Sequence, residues 1–365
     1  MIVLFTSNIA GGVLQFVIQI LNELYEMNYS VKVFIPEEAD IFIDTKVKDC
    51  VVRYPKVKTI NVKHSGIKIL ARQIMDLNPA LIWYFDNGIA TTEVGLNVAD
   101  GYNQMLIMHD AGGSHPSNNQ AFISRIRQRF EKILSNCFEK KVNNIMLLSK
   151  ESVNKYNVRY PDRVGKTVLL NLGAHVPNVN PEMPNEISNM KFLLFFGRID
   201  KYKGIARMLK AYQSYEGNLK LIIAGNGTLT EEEQVLIKED SRVQLINRFI
   251  KDEEMIWLFQ NAYAVVLPYI EATQSGVIPI AYKYAKPVIV SNVLGLTQFV
   301  IDRKTGYVCR NIEEMTDVFI SIEDENLYLE MKKNCLDYYN KQLEWKTNLK
   351  ILMDELKIPK QTLRK

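Results

Sequence analysis

Two cations stand five residues apart in Gly197-Arg198-Ile199-Asp200-Lys201-Tyr202-Lys203-Gly204, directly after the apolar run LLFF. An Arg offers a planar fork of donors and a Lys a compact point charge, a pair that suits a diphosphate. Solvated surface cations are the commoner fate of such residues. Here the pair sits at the end of a predicted strand, and ligands of open α/β sheets bind at the carboxyl ends of strands. A second constellation, Thr273-Gln274-Ser275-Gly276, lies between the apolar run YAVVLP and the apolar helical stretch GVIPIAYKYA. Ser275 is the predicted helix cap, and Gly276 keeps the backbone open to a ligand. N–H groups at the start of a buried helix are natural partners for phosphate. A third, Gly11-Gly12, follows the first apolar run and opens a helix, so a ligand can approach the backbone there, although GxGxxG is not matched. His109 ends another apolar run, beside Asp110 and two glycines. It suits a reacting centre and equally a structural role. His64, His115 and His175 have weaker claims.

The elements that position these groups alternate between β-type and helical runs. IVLFTS, then GGVLQFVIQILNELYEMN, then SVKVFIP has the length of one βαβ unit. IKILARQIMDLNP with ALIWYFD repeats the plan, and NQMLIMHD and NIMLLS add strands around a long basic helix. Residues 176–190 break the pattern with prolines and asparagines and read as an interdomain linker. The alternation then restarts: KFLLFFG, GIARMLKAYQSY, LKLIIAG, TEEEQVLIKED, VQLIN, DEEMIWLFQNA, YAVVLP, GVIPIAYKYA, PVIVS. Near-continuous apolar strands, each followed by a helix, predict parallel sheets covered on both faces. The expected fold is α/β, two Rossmann-like domains at 1–176 and 190–342, with a last helix in 343–365 packing back on the first.

Composition narrows the function classes. The chain has 365 residues, 47% hydrophobic and 24% charged, an ordinary globular balance for about two domains. A net charge of +4 gives no ground for nucleic acid as partner. Cys50, Cys137, Cys309 and Cys335 are far apart, so neither a zinc site nor a disulfide framework is indicated, and cytosolic thiols fit. MIVLFTSNIAGG lacks a basic leader and reads as a core strand, not a signal peptide.

Taken in order, these pieces resemble the glycosyltransferases of family 4. The resemblance spans nearly the whole chain. GRIDKYKG at 197–204 and AKPVIVSNVLGLTQFV at 285–300 carry it most specifically, with GG at 11–12, HD at 109–110, LLSKES, NLGAHVP and TGYV in support. ATQSGV looks like a subgroup seen in bacterial polysaccharide assembly. The resemblance implies a GT-B fold, two Rossmann-like domains with parallel sheets facing across a cleft. It implies transfer of a sugar from a nucleotide-diphosphate donor with retention of anomeric configuration, and neither metal nor cofactor. Arg198 and Lys203 match the residues that neutralise the leaving diphosphate, and His109 the histidine near the reacting sugar. Gly11, Gly12, Gly197, Thr273, Gln274, Ser275, Gly276 and Val277 then line the donor, and Arg248, Phe249 and Ile250 fall at the base-binding loop. The usual pair of glutamates, seven residues between them, is replaced by Ala272 and Ile280; Glu271 is one residue out of register, and a later family glutamate is Gln298.

The expected acceptor is a glycan or a lipid-linked glycan, in bacterial surface polysaccharide synthesis in the cytoplasm. Helix 122–141 interleaves Arg125, Arg127, Arg129, Lys132, Lys140 and Lys141 with Phe122, Ile123, Ile126, Phe130, Ile133 and Phe138. An ordinary amphipathic helix has this pattern; so has a peripheral docking face for anionic lipid at the inner side of a membrane. A competing function is a non-catalytic partner subunit of the same fold that binds nucleotide-sugar or glycan, favoured by the missing glutamates and opposed by Arg198, Lys203 and the TQSG turn.

Overall fold

The computed structural model describes residues 1–57, 65–108, 122–187 and 190–360, and of residues 122–128 the helical backbone. The chain divides into two compact units: Met1–Leu170 with Asn348–Lys365, and Asn171–Thr347.

In the first unit β1 (Ile2–Phe5), β2 (Val31–Pro36), β3 (Val51–Tyr54), β4 (Leu81–Tyr84), β5 (Gln104–Met108), β6 (Asn144–Leu147) and β7 (Thr167–Leu169) form one sheet. Its order is β3-β2-β1-β4-β5-β6-β7, and every pairing is parallel. In the second unit β8 (Phe192–Phe196), β9 (Lys220–Gly225), β10 (Val243–Asn247), β11 (Ala264–Leu267), β12 (Val288–Ser291) and β13 (Gly306–Cys309) run in the order β10-β9-β8-β11-β12-β13, again all parallel. The central strands IVLF, LIWY, AVVL and VIVS are buried at every residue, because helices cover both faces. Each sheet reverses its winding once, between β1 and β4 and between β8 and β11. At such a switch point the loops diverge and leave a crevice at the carboxyl ends of the strands. The loops after β1, β8 and β11 are the ones that carry Gly11-Gly12, Arg198 and Lys203, and Thr273–Gly276.

The unit boundary falls earlier than the proline-rich stretch predicted. From Asn171 the chain goes with the second unit. Ala174 and Ile187 are buried in that unit's core. Trp345 Nε1 donates to the Ala174 carbonyl at 2.9 Å, and the Glu182 amide donates to the Glu253 carbonyl at 3.1 Å. A segment held by separate contacts shows no apolar period, which is why it reads as a linker. The return to the first unit occurs inside the helix Trp345–Glu355.

Candidate functional site

In the first unit the loop after β1 is clamped by a residue that the sequence reading passed over. Asp86, just beyond β4, is buried and accepts from five donors. These are Thr6 Oγ1 (2.7 Å), the Ser7 amide (2.8 Å), Ser7 Oγ (2.8 Å), the Gly88 amide (2.9 Å) and Thr91 Oγ1 (2.6 Å). Tyr54 adds a hydroxyl bond to the Thr6 carbonyl at 2.8 Å. The loop is thus fixed at its root on both sides of the switch point. Its tip is open: Gly11, at φ 86°, caps the helix Gly12–Glu26, and a Cβ placed on either glycine would meet nothing within 4 Å. The acid at the end of ALIWYFD, followed by Asn-Gly, was the available sequence signal for the clamp. His109 lies outside the described residues.

In the second unit the two cations differ in setting. Arg198 is exposed, and its guanidinium makes one long contact, 3.4 Å to the Tyr202 hydroxyl. Lys203 lies over the ring of Tyr269, its Nζ 3.7 Å from the centroid, with Tyr202 at 5.0 Å. Burial, reinforced by the neighbouring Arg198 charge and opposed by Asp200, pushes its ammonium down from 10.5 to about 8. No carboxylate bonds to either cation among the described residues. The arrangement stores an uncompensated positive charge at a strand end, which an anionic ligand would relieve.

The loops after β8 and β11 are stitched together. The Ile270 amide donates to the Tyr202 carbonyl at 2.8 Å. Gly204 sits at φ 68° with the Pro268 carbonyl oxygen only 2.1 Å from where a Cβ would stand, so glycine is demanded twice over. Ser291 Oγ, at the end of β12, donates to the Tyr269 carbonyl. Lys203, Tyr269 and the start of the TQSG turn therefore form one rigid assembly.

The turn itself corrects the capping prediction. The helix runs Val277–Lys283 with Gly276 as its first flanking residue, and Ser275 Oγ accepts from the Val277 amide at 3.3 Å. Ser275 thus caps from one position further out. Pro279 in the first turn has no N–H, which leaves fewer orphan donors than a helix start usually offers. The amides of Gln274, Ser275 and Gly276 donate to no other group among the described residues. Gln274 Oε1 is buried without a partner among them. The turn therefore leaves three amide donors without a partner among the described residues, beside one buried acceptor. It rests on Gly295, whose absent Cβ would lie 2.2 Å from the Ala272 carbonyl oxygen. Gln298, where the family glutamate was expected, donates its amide to the Gly295 carbonyl at 3.3 Å, a bond that a carboxylate cannot make.

Of the remaining predicted residues, Phe249 is 76% exposed and available to stack on a base, and Glu271 is exposed. Arg248 is engaged elsewhere. Its guanidinium pairs with Glu186 at 2.7 and 2.8 Å and with Glu254 at 2.7 and 2.7 Å. Its charge is already matched, so any base contact from this position falls to the backbone. Ile250 is a core residue, its side chain turned inward. Val277 is half-buried at the helix start. No three His, Cys, Asp or Glu side chains converge to hold a metal ion among the described residues, and no helix among them is long and apolar enough to cross a membrane.

Two doubly wound units, with the cations and the open turn at one switch point, define the GT-B class of glycosyltransferase fold. Sucrose-phosphate synthase from Thermosynechococcus elongatus is similar over 98% of this chain and 99% of its own, with a TM-score of 0.68 at 17% identity. HepE of Anabaena, solved in complex with UDP-glucose, is similar over 98% and 99%, with a TM-score of 0.70 at 16% identity. Residues 180–342 match the family model Glycosyl transferases group 1. A curated relative from Campylobacter jejuni, N-acetylgalactosamine-N,N'-diacetylbacillosaminyl-diphospho-undecaprenol 4-alpha-N-acetylgalactosaminyltransferase, is 30% identical over 124 residues. That alignment covers 33% of this chain and 30% of the relative's length.

Proposed function

We propose that the chain is a retaining glycosyltransferase that moves a sugar from a nucleotide-diphosphate donor to a glycan or lipid-linked glycan, in the cytoplasm, in surface polysaccharide synthesis. The observation that carries this is the pair Arg198 and Lys203, unpaired and adjacent to free amides at the switch point. In the reaction the bond from the sugar's anomeric carbon to the diphosphate oxygen breaks and a bond to the acceptor oxygen forms. The acceptor's proton passes to the departing diphosphate. The developing charge on that diphosphate is met by Arg198, Lys203 and the amides of residues 274–276, all in place before the reaction starts. Chemistry of this kind needs charge and positioning more than a protein base, so Ala272 and Ile280 in place of glutamates are compatible with turnover. The Campylobacter relative's name supports a lipid-linked acceptor, and the Anabaena neighbour's bound UDP-glucose puts UDP-sugars first among donors.

A panel of nucleotide sugars tests the reading. At least one is expected to be hydrolysed slowly alone and transferred faster with a lipid-linked saccharide, giving a product whose anomeric proton coupling matches that of the donor. Arg198→Ala is expected to lower turnover by about 10²–10³ while leaving the melting temperature unchanged, since Arg198 is exposed and weakly bonded. Donor binding without turnover by any acceptor would point instead to a binding subunit.

The acceptor reading extends to the membrane surface. On helix Phe122–Lys141, Phe130 and Ile133 are 42% and 53% exposed beside exposed Arg129 and Lys132. Apolar side chains in solvent among cations suit a lipid face better than a core face. The chain is expected to float with vesicles containing anionic lipid and to stay behind with neutral ones. Equal behaviour toward both would remove the idea.

A further inference from the structure

The loop that follows β10 is held by a single guanidinium, and every N–H of Arg248 has an acceptor. Nε and Nη2 fork onto Glu186 at 2.7 and 2.8 Å. Nη1 and Nη2 fork onto Glu254, both at 2.7 Å. The remaining Nη1 contact goes to the Phe249 carbonyl at 3.1 Å. Glu254 also accepts from the Lys251 amide at 3.0 Å, and Ile250 is buried in the core. The backbone on both sides of Phe249 is therefore fixed, while its ring stands 76% exposed. The Glu186 end is anchored too: the Glu182 amide donates to the Glu253 carbonyl at 3.1 Å, and Ile187 is a core residue. Exposed ion pairs contribute little to global stability, and the Arg248 and Glu186 side chains are 36% and 40% exposed. The consequence of the clasp is local: it holds one aromatic ring in place.

That ring stands on the edge that carries the cations. β10 lies two strands from β8, about 10 Å away. The loops between them are stitched together. The Ile199 amide donates to the Asn226 carbonyl at 2.9 Å, the Gly227 amide to Asn247 Oδ1 at 3.2 Å, and Asn247 Nδ2 to the Gly227 carbonyl at 3.1 Å. Ile199 adjoins Arg198, and Asn247 adjoins Arg248. A ligand with its diphosphate at Arg198 and Lys203 thus has Phe249 within reach of its nucleoside. Charge decides what the ring can meet. Hydrogen bonds from Arg248 hold the Glu186 and Glu254 carboxyls below their usual range, so one guanidinium faces two carboxylates. The clasp carries net negative charge and has no N–H left to offer, so it recruits no second phosphate. A flat neutral ring stacked on Phe249 suits it.

We propose that Glu186 is a positioning residue of the donor site: through Arg248 it holds Phe249 as a fixed platform for the nucleobase of the donor. The inference rests on the nucleotide-sugar reading of this site. A ring held in place before the ligand arrives loses little freedom on stacking, so the clasp should appear as affinity for the nucleoside part alone.

Calorimetric titration of the intact chain with UDP, CDP, ADP and GDP, and with inorganic pyrophosphate as the ligand without a base, tests it. Phe249→Ala should weaken the nucleotide that the native chain prefers about tenfold and leave pyrophosphate unchanged. Glu186→Ala should weaken the same nucleotide about fivefold, with pyrophosphate affinity and melting temperature unchanged. Glu186→Gln keeps one acceptor for Arg248 and should fall between Glu186→Ala and the native chain. In a Phe249→Ala background, Glu186→Ala should add no further loss, because it acts through that ring. Native nucleotide affinity in Glu186→Ala, an equal loss for pyrophosphate, or a loss that persists without Phe249 would each overturn the proposal. A native chain that binds pyrophosphate as tightly as any nucleotide overturns the platform and leaves the diphosphate site standing. One that binds neither overturns the donor reading, and this inference with it.

Discussion

Lys203→Met is expected to lower transfer by about 10²–10³ and at the same time to raise the melting temperature at neutral pH. Both effects come from one geometry. The ammonium is desolvated against Tyr269 and sits beside Arg198, so the fold disfavours its charged form. A Lys with an ordinary value of 10.5 that falls to about 8 in the folded chain binds its proton less tightly there than when unfolded. The penalty is complete below pH 8, where both states are charged. It fades between 8 and 10.5 and is gone above 10.5, where both are neutral. A lowering of that size corresponds to at most about 3 kcal/mol, and partial solvent contact reduces this to about 1–2 kcal/mol. Methionine keeps the side chain's bulk over the ring without the charge. The gain should be a few degrees at pH 7, where about 1 kcal/mol moves a unit of this size by 2–4 °C, and should disappear in a scan at pH 10.5. The anionic donor reverses the balance in the native chain. It restores the cation, so donor binding should take up a proton at pH 8–9, and affinity should fall as pH rises through 8. Calorimetry in buffers of differing ionisation enthalpy measures that uptake. A variant that melts lower at pH 7 and still transfers sugar would refute both halves.

This linkage illustrates what was and was not legible in the sequence. The centre of each sheet could be read because burial on both faces makes a strand nearly continuous in apolar residues, as in LIWY and VIVS. Edge strands lose that mark. β3 reads VVRY with only Tyr54 buried, and β7 is three residues long, so neither stands out from its surroundings. The helix Ile89–Asn97 buries Thr91, Thr92 and Glu93 and has no clear apolar stripe to announce it. At the site, the cations and the turn were visible because their place after strands is a local property. What holds them was not. Tyr269 carried no mark of its own in the sequence and proved to be the surface under Lys203. Arg248 looked like a ligand residue and proved to be locked by Glu186, 62 residues away. Contacts of that range leave no local pattern in a single sequence.

The same distinction, between what a residue offers to a ligand and what holds it in place, can be tested on two glycines. Gly295→Ala is expected to damage both stability and donor use. A Cβ there would lie 2.2 Å from the Ala272 carbonyl oxygen and 2.6 Å from the carbonyl carbons of Ala272 and Thr273. All three are backbone atoms, so no side-chain rotation relieves the clash and the turn itself must lift. Overpacking of this kind costs about 1–3 kcal/mol. The displacement passes directly into Thr273–Gly276, and a misplacement of about 1 Å in a positioning element can cost 10²-fold in rate. The KM for the donor should therefore rise and kcat/KM fall by about that factor. Gly276→Ala is the contrasting case. Its φ is −71°, and a Cβ would find only Leu172 Cδ2 at 3.6 Å, ordinary contact. The alanine should leave the melting temperature unchanged or slightly raised, yet stand in the space from which, on the proposed function, the Gly276 amide would reach the diphosphate. If Gly276→Ala binds and turns over donor normally while Gly295→Ala fails, the turn serves only as structural support and the diphosphate lies elsewhere along the strand ends. If both lose donor affinity but only Gly295→Ala loses stability, the turn itself contacts the donor.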